Sequence, residues 1–239
     1  MKSIRWVLVT TALAALAGPA GASLVPIGAI PSTGNGIGAV NTSLTFQNIG
    51  TEFGCVAYNG SIATTGAGSC PAGFTGGDEK SGASQINVFT AADLGFTATN
   101  NFSNLVVLFN GNEGQNAGDQ PITLNLLGLS LYSATGTRLA TFTTTAASTF
   151  DSFPGVGNAG FGFALDAAQA AIANAWLVSN PLLRIGTEAN VSGSQGGPET
   201  IQLTTVTTTG VPEPGTVVLL SSGFLFIGLG VWRKRSRLQ

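Results

Sequence analysis

The amino-acid sequence predicts a mainly β protein, with an antiparallel β-sandwich or jelly-roll-like domain, one short helix and a C-terminal transmembrane helix. Three observations lead to this prediction. Short apolar runs alternate with turns rich in Gly, Asn, Ser and Thr through the middle of the chain, a spacing typical of antiparallel sandwiches. Charged residues are scarce, whereas disordered chains are usually highly charged. An uncharged apolar run, residues 216–232, lies close to the C-terminus.

The first 22 residues are predicted to be a secretory signal peptide. Lys2 and Arg5 precede an apolar stretch that ends near Ala17, and the small residues of Ala20-Gly21-Ala22 follow. A basic region, an apolar region and an A-x-A site are the three parts of such a signal. Cleavage after Ala22 is therefore expected, and the alternative is an uncleaved N-terminal anchor.

Residues 23–42 are predicted to be an N-terminal linker or edge segment, and residues 43–207 to be the β-sandwich domain. Strands are expected wherever apolar and β-branched residues cluster between turn signals. The expected strands are Ser43–Ile49, Gln85–Phe89, Leu105–Phe109, Ile122–Tyr132, Arg138–Thr144, Phe161–Leu165, Leu182–Ile185 and Thr200–Val206. Gly193–Pro198 is expected to be a loop.

The run Ile122–Tyr132 changes phase within its length. Its apolar residues first occupy even positions and then odd ones. Because a one-residue slip turns side chains to the other face, a β-bulge is expected where the phase changes, at Leu127-Gly128. The turn Ser133–Gly136 then leads into the next strand, with Gly136 able to adopt a positive φ.

The short helix is predicted over Ala167–Trp176, which is rich in Ala and lacks Gly and Pro. Asp166 is the expected N-cap, and Pro181 prevents continuation. Leu165, Ile172 and Trp176 are expected to point toward one side.

Cys55 and Cys70 are the only cysteines of the chain. An even pair in an exported protein predicts a disulfide. A zinc site is disfavoured because the chain contains no histidine to complete the ligand set.

The last 32 residues consist of three segments of different composition. Residues 208–215 form a linker that contains Pro212-Glu213-Pro214, and the two prolines oppose helix formation there. The uncharged run 216–232 would span roughly 25 Å as a helix, the short end of what crosses a bilayer. The tail, residues 233–239, is predicted to be cytoplasmic because it carries a dense basic cluster. That cluster consists of Arg233, Lys234, Arg235 and Arg237. The alternative for the apolar run is a buried core helix.

This C-terminal segment resembles the PEP-CTERM sorting signal, which consists of a Pro-Glu-Pro motif, a hydrophobic helix and a basic tail. The resemblance covers only about the last 28 residues. It implies a Gram-negative-type exported protein whose partner is an exosortase, a membrane enzyme that processes the chain near the motif. It also implies an association with exopolysaccharide and biofilm.

Charge excludes one class of partner. Between the signal peptide and the basic tail, three basic residues stand against eleven acidic ones, a formal net charge near −8. Such a surface offers few cations for phosphates, so no nucleic-acid partner is expected.

Catalysis is not expected either. Without histidine, the commonest general base and every Ser-His or Cys-His arrangement are absent. A pair of carboxylates could hydrolyse a glycoside, but no spacing selects a pair. The candidates by residue type alone are Asp78, Glu79, Asp93, Glu113, Asp119, Asp151 and Glu199. Asp78-Glu79-Lys80 is interpreted as a solvated turn.

Two weaker binding signals remain. The segment from Asn110 to Asp119 is dense in oxygen ligands suited to calcium, with Asn110, Asn112, Glu113 and Asp119 as candidates. Its spacing does not match an EF-hand, and a plain loop is favoured. Tyr58, Tyr132 and Trp176 could stack on a sugar ring, although Trp176 is more simply a core residue.

The combined prediction is an exported, non-enzymatic surface or extracellular-matrix protein. It would be held as a single-pass membrane protein before processing and then deployed at the cell surface or outside the cell. The expected partners are the membrane, the exosortase-type enzyme and extracellular polysaccharide, and no cofactor is expected. The alternative is a carbohydrate- or calcium-binding β-sandwich module. A hydrolase and an unprocessed single-pass membrane protein are also left open.

Overall fold

A computed structural model of the chain describes residues 24–31, 41–66, 68–71, 73–98, 101–111, 121–150 and 159–206. These residues belong to one compact unit, which ends at Val206. The predicted signal peptide, sorting motif, transmembrane helix and basic tail lie outside them. Within the described part of the chain, no helix has both the length and the apolar character needed to cross a membrane.

The described residues form strands and one helix, α1, in the order that follows. The elements are β1 (Leu24–Pro31), β2 (Asn41–Phe46), β3 (Ile49–Tyr58), β4 (Ala63–Thr64), β5 (Phe89–Thr90), β6 (Leu105–Asn110), β7 (Ile122–Tyr132), β8 (Arg138–Thr143), β9 (Ser148–Phe150), β10 (Ala159–Leu165), α1 (Ala167–Ser179), β11 (Arg184–Gln195) and β12 (Glu199–Thr205).

The strands assemble into two antiparallel sheets, which confirms the predicted sandwich. One sheet has the order β1-β10-β6-β12-β2, and the other has the order β4-β3-β11-β7-β8 with β5 beside β11 and β9 beside β7. The inner faces meet in a continuous apolar core. Phe109 and Ile201 come from the first sheet and Leu127 and Ile185 from the second, and all four are fully buried.

The strand β6 lies in the middle of the five-stranded sheet and is buried on both faces. Its continuous run of apolar residues predicted this position, because only a central, covered strand can hide both faces from water. The other apolar strands follow the predicted alternation, with Phe163 of β10 and Leu203 of β12 directed into the core.

The phase change in β7 lies two residues earlier than predicted. Against β11, Asn190 pairs with Leu126 and Val191 pairs with Leu124, so the extra residue is Asn125. Its amide donates hydrogen bonds to Asn190 Oδ1 and Ser192 Oγ, both at 3.1 Å. A polar residue suits the bulge because its side chain can form hydrogen bonds with polar side chains of the neighbouring strand β11. Leu127 therefore enters the core, and Leu126 is only partly buried.

The central strand of the seven-stranded sheet, β11, was predicted only over its first residues. It runs twelve residues from Arg184 to Gln195 and pairs with both β3 and β7. The loop expected at Gly193–Pro198 is therefore shorter than predicted: its first three residues belong to β11, and residues 196–198 connect β11 to β12. Residues 24–31, within the segment predicted as a linker or edge segment, form the edge strand β1. The strands β3, β4 and β9 were not predicted. The segment expected around Gln85 contributes only the short β5, while Gln85 and Asn87 hydrogen-bond to the free edge of β2.

The helix α1 begins as predicted and ends three residues later than predicted. Asp166 caps it, with its carboxylate accepting a hydrogen bond from the Gln169 amide at 2.9 Å. The expected apolar face is correct for Leu165 and Trp176, which contact the core, and wrong for Ile172. Ile172 is 46% exposed, and the buried residues are Gln169, Ala170 and Ala173.

Two tight turns cross each other at one end of the seven-stranded sheet. The predicted turn at Ser133–Gly136 is present, and Gly136 has a φ of 84°. A Cβ atom at Gly136 would press on the backbone of Asn59 and Gly60 in the turn between β3 and β4. Backbone atoms cannot yield as a flexible side chain can, so only glycine allows this approach.

We expect Gly136→Ala to lower the free energy of unfolding by about 2 kcal/mol, through left-handed backbone strain and overpacking. The matched control is Gly95→Ala. Gly95 also has a positive φ, 66°, but nothing lies within 4 Å of an added Cβ. The Gly95→Ala variant has the backbone strain without the overpacking, so its free energy of unfolding should fall by only about 1 kcal/mol. Urea unfolding of both variants measures the difference, and equal losses would contradict the close turn crossing.

Candidate functional site

The outer face of the seven-stranded sheet carries the most unusual chemistry in the described residues. Here the outer face means the side turned away from the five-stranded sheet. The segment 73–80, called the covering segment below, lies over part of it. Three features meet there: a disulfide, a network of backbone-binding carboxylates and a buried glutamate.

The predicted disulfide is present. Cys55 and Cys70 are joined, with 5.5 Å between their Cα atoms and fifteen residues of sequence separation. Cys55 lies in β3, whose neighbour Val56 enters the core, so alternation places the sulfur on the outer face. The disulfide therefore ties the loop that leads into the covering segment to the sheet beneath it.

Glu79 organises the backbone next to the disulfide. Its carboxylate accepts hydrogen bonds from the backbone amides of Cys55 at 2.9 Å, Gly77 at 2.8 Å and Gly66 at 3.3 Å. A Cβ atom at Gly76 would clash with a Glu79 oxygen. The carboxylate thus fills the space that a side chain there would need.

Cys55, Cys70 and Glu79 are also the group of potential metal ligands that the described residues bring together, within 4.8 Å of one another. Their present chemistry does not suit a metal ion. Zinc binds thiolates, whereas the two sulfurs are bonded to each other, and the Glu79 oxygens are taken by backbone donors.

Asp78 makes a second set of backbone contacts. Its two carboxylate oxygens accept hydrogen bonds from the Phe53 amide at 2.8 Å and the Asn48 side chain at 2.9 Å. Lys80 donates its backbone amide to the Thr45 carbonyl at 2.9 Å. The interpretation of Asp78-Glu79-Lys80 as a solvated turn is therefore wrong, because this segment pins the corner between β2 and β3.

Glu188 is the least expected residue of the outer face. It lies in β11, paired with Cys55 of β3 on one side and Gly128 of β7 on the other. It is fully buried, and neither carboxylate oxygen has a hydrogen-bond partner among the described residues. A buried, unpaired carboxylate is costly as an ion and stable as a neutral acid.

Phe74 of the covering segment shields this carboxylate from water. A Cβ atom at Gly128 would lie 2.6 Å from Glu188 Oε2 and 2.8 Å from Phe74 Cζ. The ring and the carboxylate therefore share the space above Gly128. Glycine at this position leaves the room that both side chains occupy.

Burial raises the pKa of Glu188 to about 8. The Ser130 hydroxyl and the Arg138 guanidinium lower this pKa, but burial outweighs both. Ser130 Oγ is hydrogen-bonded to Thr141 Oγ1 at 2.9 Å, so Ser130 is a polar neighbour of Glu188 and not its hydrogen-bond partner. Burial, and after it the nearby Glu188 carboxylate, raises the pKa of Tyr132 to about 12.

A second buried glutamate lies at the end of the sandwich. Glu52 Oε1 accepts hydrogen bonds from the Asn48 amide at 2.6 Å and the Ser194 hydroxyl at 2.7 Å. It thereby joins the corner between β2 and β3 to the end of β11. Like Glu188 it was not predicted from the sequence, because nothing in its neighbours along the chain indicates burial.

The structure brings few of the predicted binding residues together. Asn110 ends β6 and is buried between Gly160 and Thr200 in the sheet. The other calcium candidates, Asn112, Glu113 and Asp119, lie outside the described residues, as do the sorting-motif residues Pro212, Glu213 and Pro214 and the basic residues Arg233, Lys234, Arg235 and Arg237.

Of the three aromatic residues proposed for sugar stacking, Trp176 lies apart from the two tyrosines. Tyr58 and Tyr132 share a small buried cluster, and the Arg184 guanidinium lies 5.5 Å from the centre of the Tyr58 ring. Trp176 packs against the main core instead. Because stacking requires an accessible ring face, these three residues do not form a common sugar platform.

The remaining described carboxylates also serve the fold. Asp93 accepts hydrogen bonds from the Thr90 amide and hydroxyl, both at 2.7 Å, and these hydrogen bonds lower its pKa. Glu199 is fully buried at the start of β12. Glu113, Asp119 and Asp151 lie outside the described residues.

Comparison of the chain with protein-family models, with curated protein sequences and with solved structures gave no match.

Proposed function

We propose that this chain is an exported, non-enzymatic protein of the cell surface or extracellular matrix. In this proposal it carries a PEP-CTERM-type sorting signal and acts in association with exopolysaccharide and biofilm. The disulfide between Cys55 and Cys70 is the observation that carries the proposal. Such bonds persist in oxidising compartments and are rare in the cytosol.

The use of the described carboxylates supports a non-enzymatic role. Asp78, Glu79 and Asp93 accept hydrogen bonds from backbone amides, and Glu52 and Glu188 are buried. Glycoside hydrolysis would instead use two carboxyl groups that flank a substrate. The contacts of these residues support the sheet and its covering segment, as expected of a scaffold.

The two ends of the sequence supply the rest of the support. The signal-peptide pattern directs the chain out of the cytosol, and the ordered Pro-Glu-Pro motif, apolar run and basic cluster resemble the sorting signal. The acidic, cation-poor region between them is compatible with a hydrated matrix and unsuited to nucleic acid.

Processing at the C-terminus is the sharpest test of the proposal. The tagged full chain is expressed in a host that has an exosortase. We expect the wild-type protein to lose Trp232–Gln239 and Glu213→Gln to retain them, because the altered motif is no longer recognised. Mass spectrometry of the purified protein reads the C-terminus directly. Thr209→Ala, just before the motif, is the control that should be processed normally.

Export is tested separately through the cysteines. The exported chain should resist thiol alkylation after denaturation, whereas Leu8→Arg, which places a charge in the apolar part of the signal, should leave two alkylated thiols in the cytosol. A full-length wild-type chain found in the cytosol with both thiols free would overturn the proposal. If an exported wild-type chain retained the basic tail, the sorting part of the proposal would be refuted and the export part would stand.

A further inference from the structure

The strand β1 is held by the rest of the domain along one side only. Among the described strands it pairs with β10 alone, at the edge of the five-stranded sheet. Leu24 reaches the core, whereas residues 25–29 are exposed. Because the hydrophobic gain scales with the apolar area that is buried, β1 contributes little core burial beyond Leu24 and costs little to detach.

The edge of β10 is shaped to receive β1. Leu24 lies opposite Leu165 at one end of the pair. Further along, a Cβ atom at Gly162 would lie 2.5 Å from Ile30 Cδ1 and 2.9 Å from Ile27 Cγ1, so the two isoleucines fill the space that the glycine leaves. Neither strand, LVPIGAIP or AGFGFAL, carries a charge. The same strand from another copy of the chain would therefore fit this edge equally well.

The connection from β1 to β2 has an unusual route. The two strands form opposite edges of a sheet in the order β1-β10-β6-β12-β2. Every neighbouring pair in this sheet is antiparallel, so β1 and β2 run in the same direction. Asn41, at the start of β2, is level with Pro26 through the paired residues Leu203, Val107 and Phe163. Between the two strands the chain must therefore cross the whole sheet and also return along it.

The distance that this connection has to cover is close to its maximum reach. Four strand spacings of about 4.8 Å and an offset of four residues along β10, from Ala159 opposite Pro31 to Phe163, give a straight distance of roughly 23 Å. Because the inner face is packed against the other sheet, the path has to pass over the outer side chains, which adds roughly 10 Å. Residues 32–40 allow ten steps between Cα atoms, at most about 36 Å. A connection within one molecule would therefore need nearly its full extension.

We propose that β1 exchanges between copies of this chain, so that β1 of one molecule fills the edge of β10 in a second molecule. The exchanged form keeps every contact between β1 and β10, and its connection no longer has to cross the sheet. Exchange of an identical element is a low-cost route to association, and a short hinge under strain favours it. This inference rests on the described strands and not on the sorting signal.

Two cysteine variants of the full chain, each with its own tag, test the exchange. Val25 lies opposite Ala164, and opposite residues of an antiparallel pair are close enough for a disulfide. Val25→Cys and Ala164→Cys are co-expressed so that they fold together, then purified in mild non-ionic detergent and oxidised with copper–phenanthroline. We expect a covalent dimer that carries both tags. Its band should be at least fivefold stronger than that from Val25→Cys co-expressed with Ala146→Cys, an exposed alanine in the turn between β8 and β9.

A longer connection separates exchange from incidental collisions. Six residues, Gly-Ser-Gly-Ser-Gly-Ser, are inserted between Gly36 and Ile37 of both variants. The longer chain can cross the sheet without strain, so β1 should stay in its own molecule and the two-tag band should weaken at least threefold. The same insertion after Ala146 is the control and should leave the band unchanged, and thermal unfolding checks that each chain is folded. A two-tag band no stronger than that of the Ala146→Cys pair, or one that the longer connection does not weaken, would overturn the proposal.

Discussion

As the pH rises from about 5 to about 8, the free energy of unfolding should fall by roughly 1.4 kcal/mol for each pH unit, and Glu188→Gln should remove this slope. Burial raises the pKa of Glu188 from 4.5 to about 8 in the folded protein. Within this pH window the Glu188 carboxyl group is protonated in the folded chain and ionised in the unfolded chain. The stabilisation is therefore complete below pH 4.5 and is lost as pH rises through the folded pKa.

The chain is well suited to this measurement. It contains no histidine, so the residue type that ordinarily titrates in this window does not contribute. Urea unfolding at a series of pH values gives the slope. Glu79→Gln is the control: it weakens the hydrogen bonds to the Cys55 and Gly77 amides and lowers stability, but should leave the slope intact. A wild-type slope near zero would mean that Glu188 is solvated or paired.

Removal of the disulfide should have the second large effect. We expect Cys55→Ala with Cys70→Ala to lower the free energy of unfolding by about 3 kcal/mol, as the chain-entropy model gives for a loop of this length. The pKa of Glu188 should change as well. The disulfide holds the chain that leads to Phe74, and Phe74 covers the carboxylate. Without the tether, water reaches Glu188 more often, and its pKa should move back toward the ordinary value.

Two comparisons make this prediction specific. Reduction of the wild-type protein should reproduce the stability loss, whereas the double alanine variant should be insensitive to reductant. The pH slope between about pH 5 and pH 8 should also be shallower in the double variant than in the wild type. If stability falls but the slope remains unchanged, the covering segment stays in place without the disulfide, and the coupling between the two features is refuted.

Local features of the sandwich were well predicted from the sequence. The apolar run of β6, the turn at Ser133–Gly136 and the Asp166 cap all depend on residues within a few positions of each other. A turn or a cap is decided by short-range hydrogen bonds and backbone preference, so neighbouring residues suffice to specify it. The disulfide was predictable because the chain offers only one possible pair of cysteines.

The central strand β11 and its glutamate were not predictable in the same way. The sequence R-I-G-T-E-A-N-V-S-G-S-Q contains glycines and polar residues that resemble a loop. Its strand conformation comes from pairing with β3 and β7, which lie far away in the chain. Strand preference depends on such neighbours more than on the residues themselves. The position of the β7 bulge is decided by the same pairing.

The sequence by itself determined the strand and turn pattern that makes an antiparallel sandwich, and it carries the signals on which the prediction of export and sorting rests. Only the tertiary structure decided that Glu188 is buried beneath Phe74 and that α1 buries Gln169 together with Ala170 and Ala173. The physical reason is that periodicity tells which side chains share a face, whereas the covering of that face depends on segments remote in the chain.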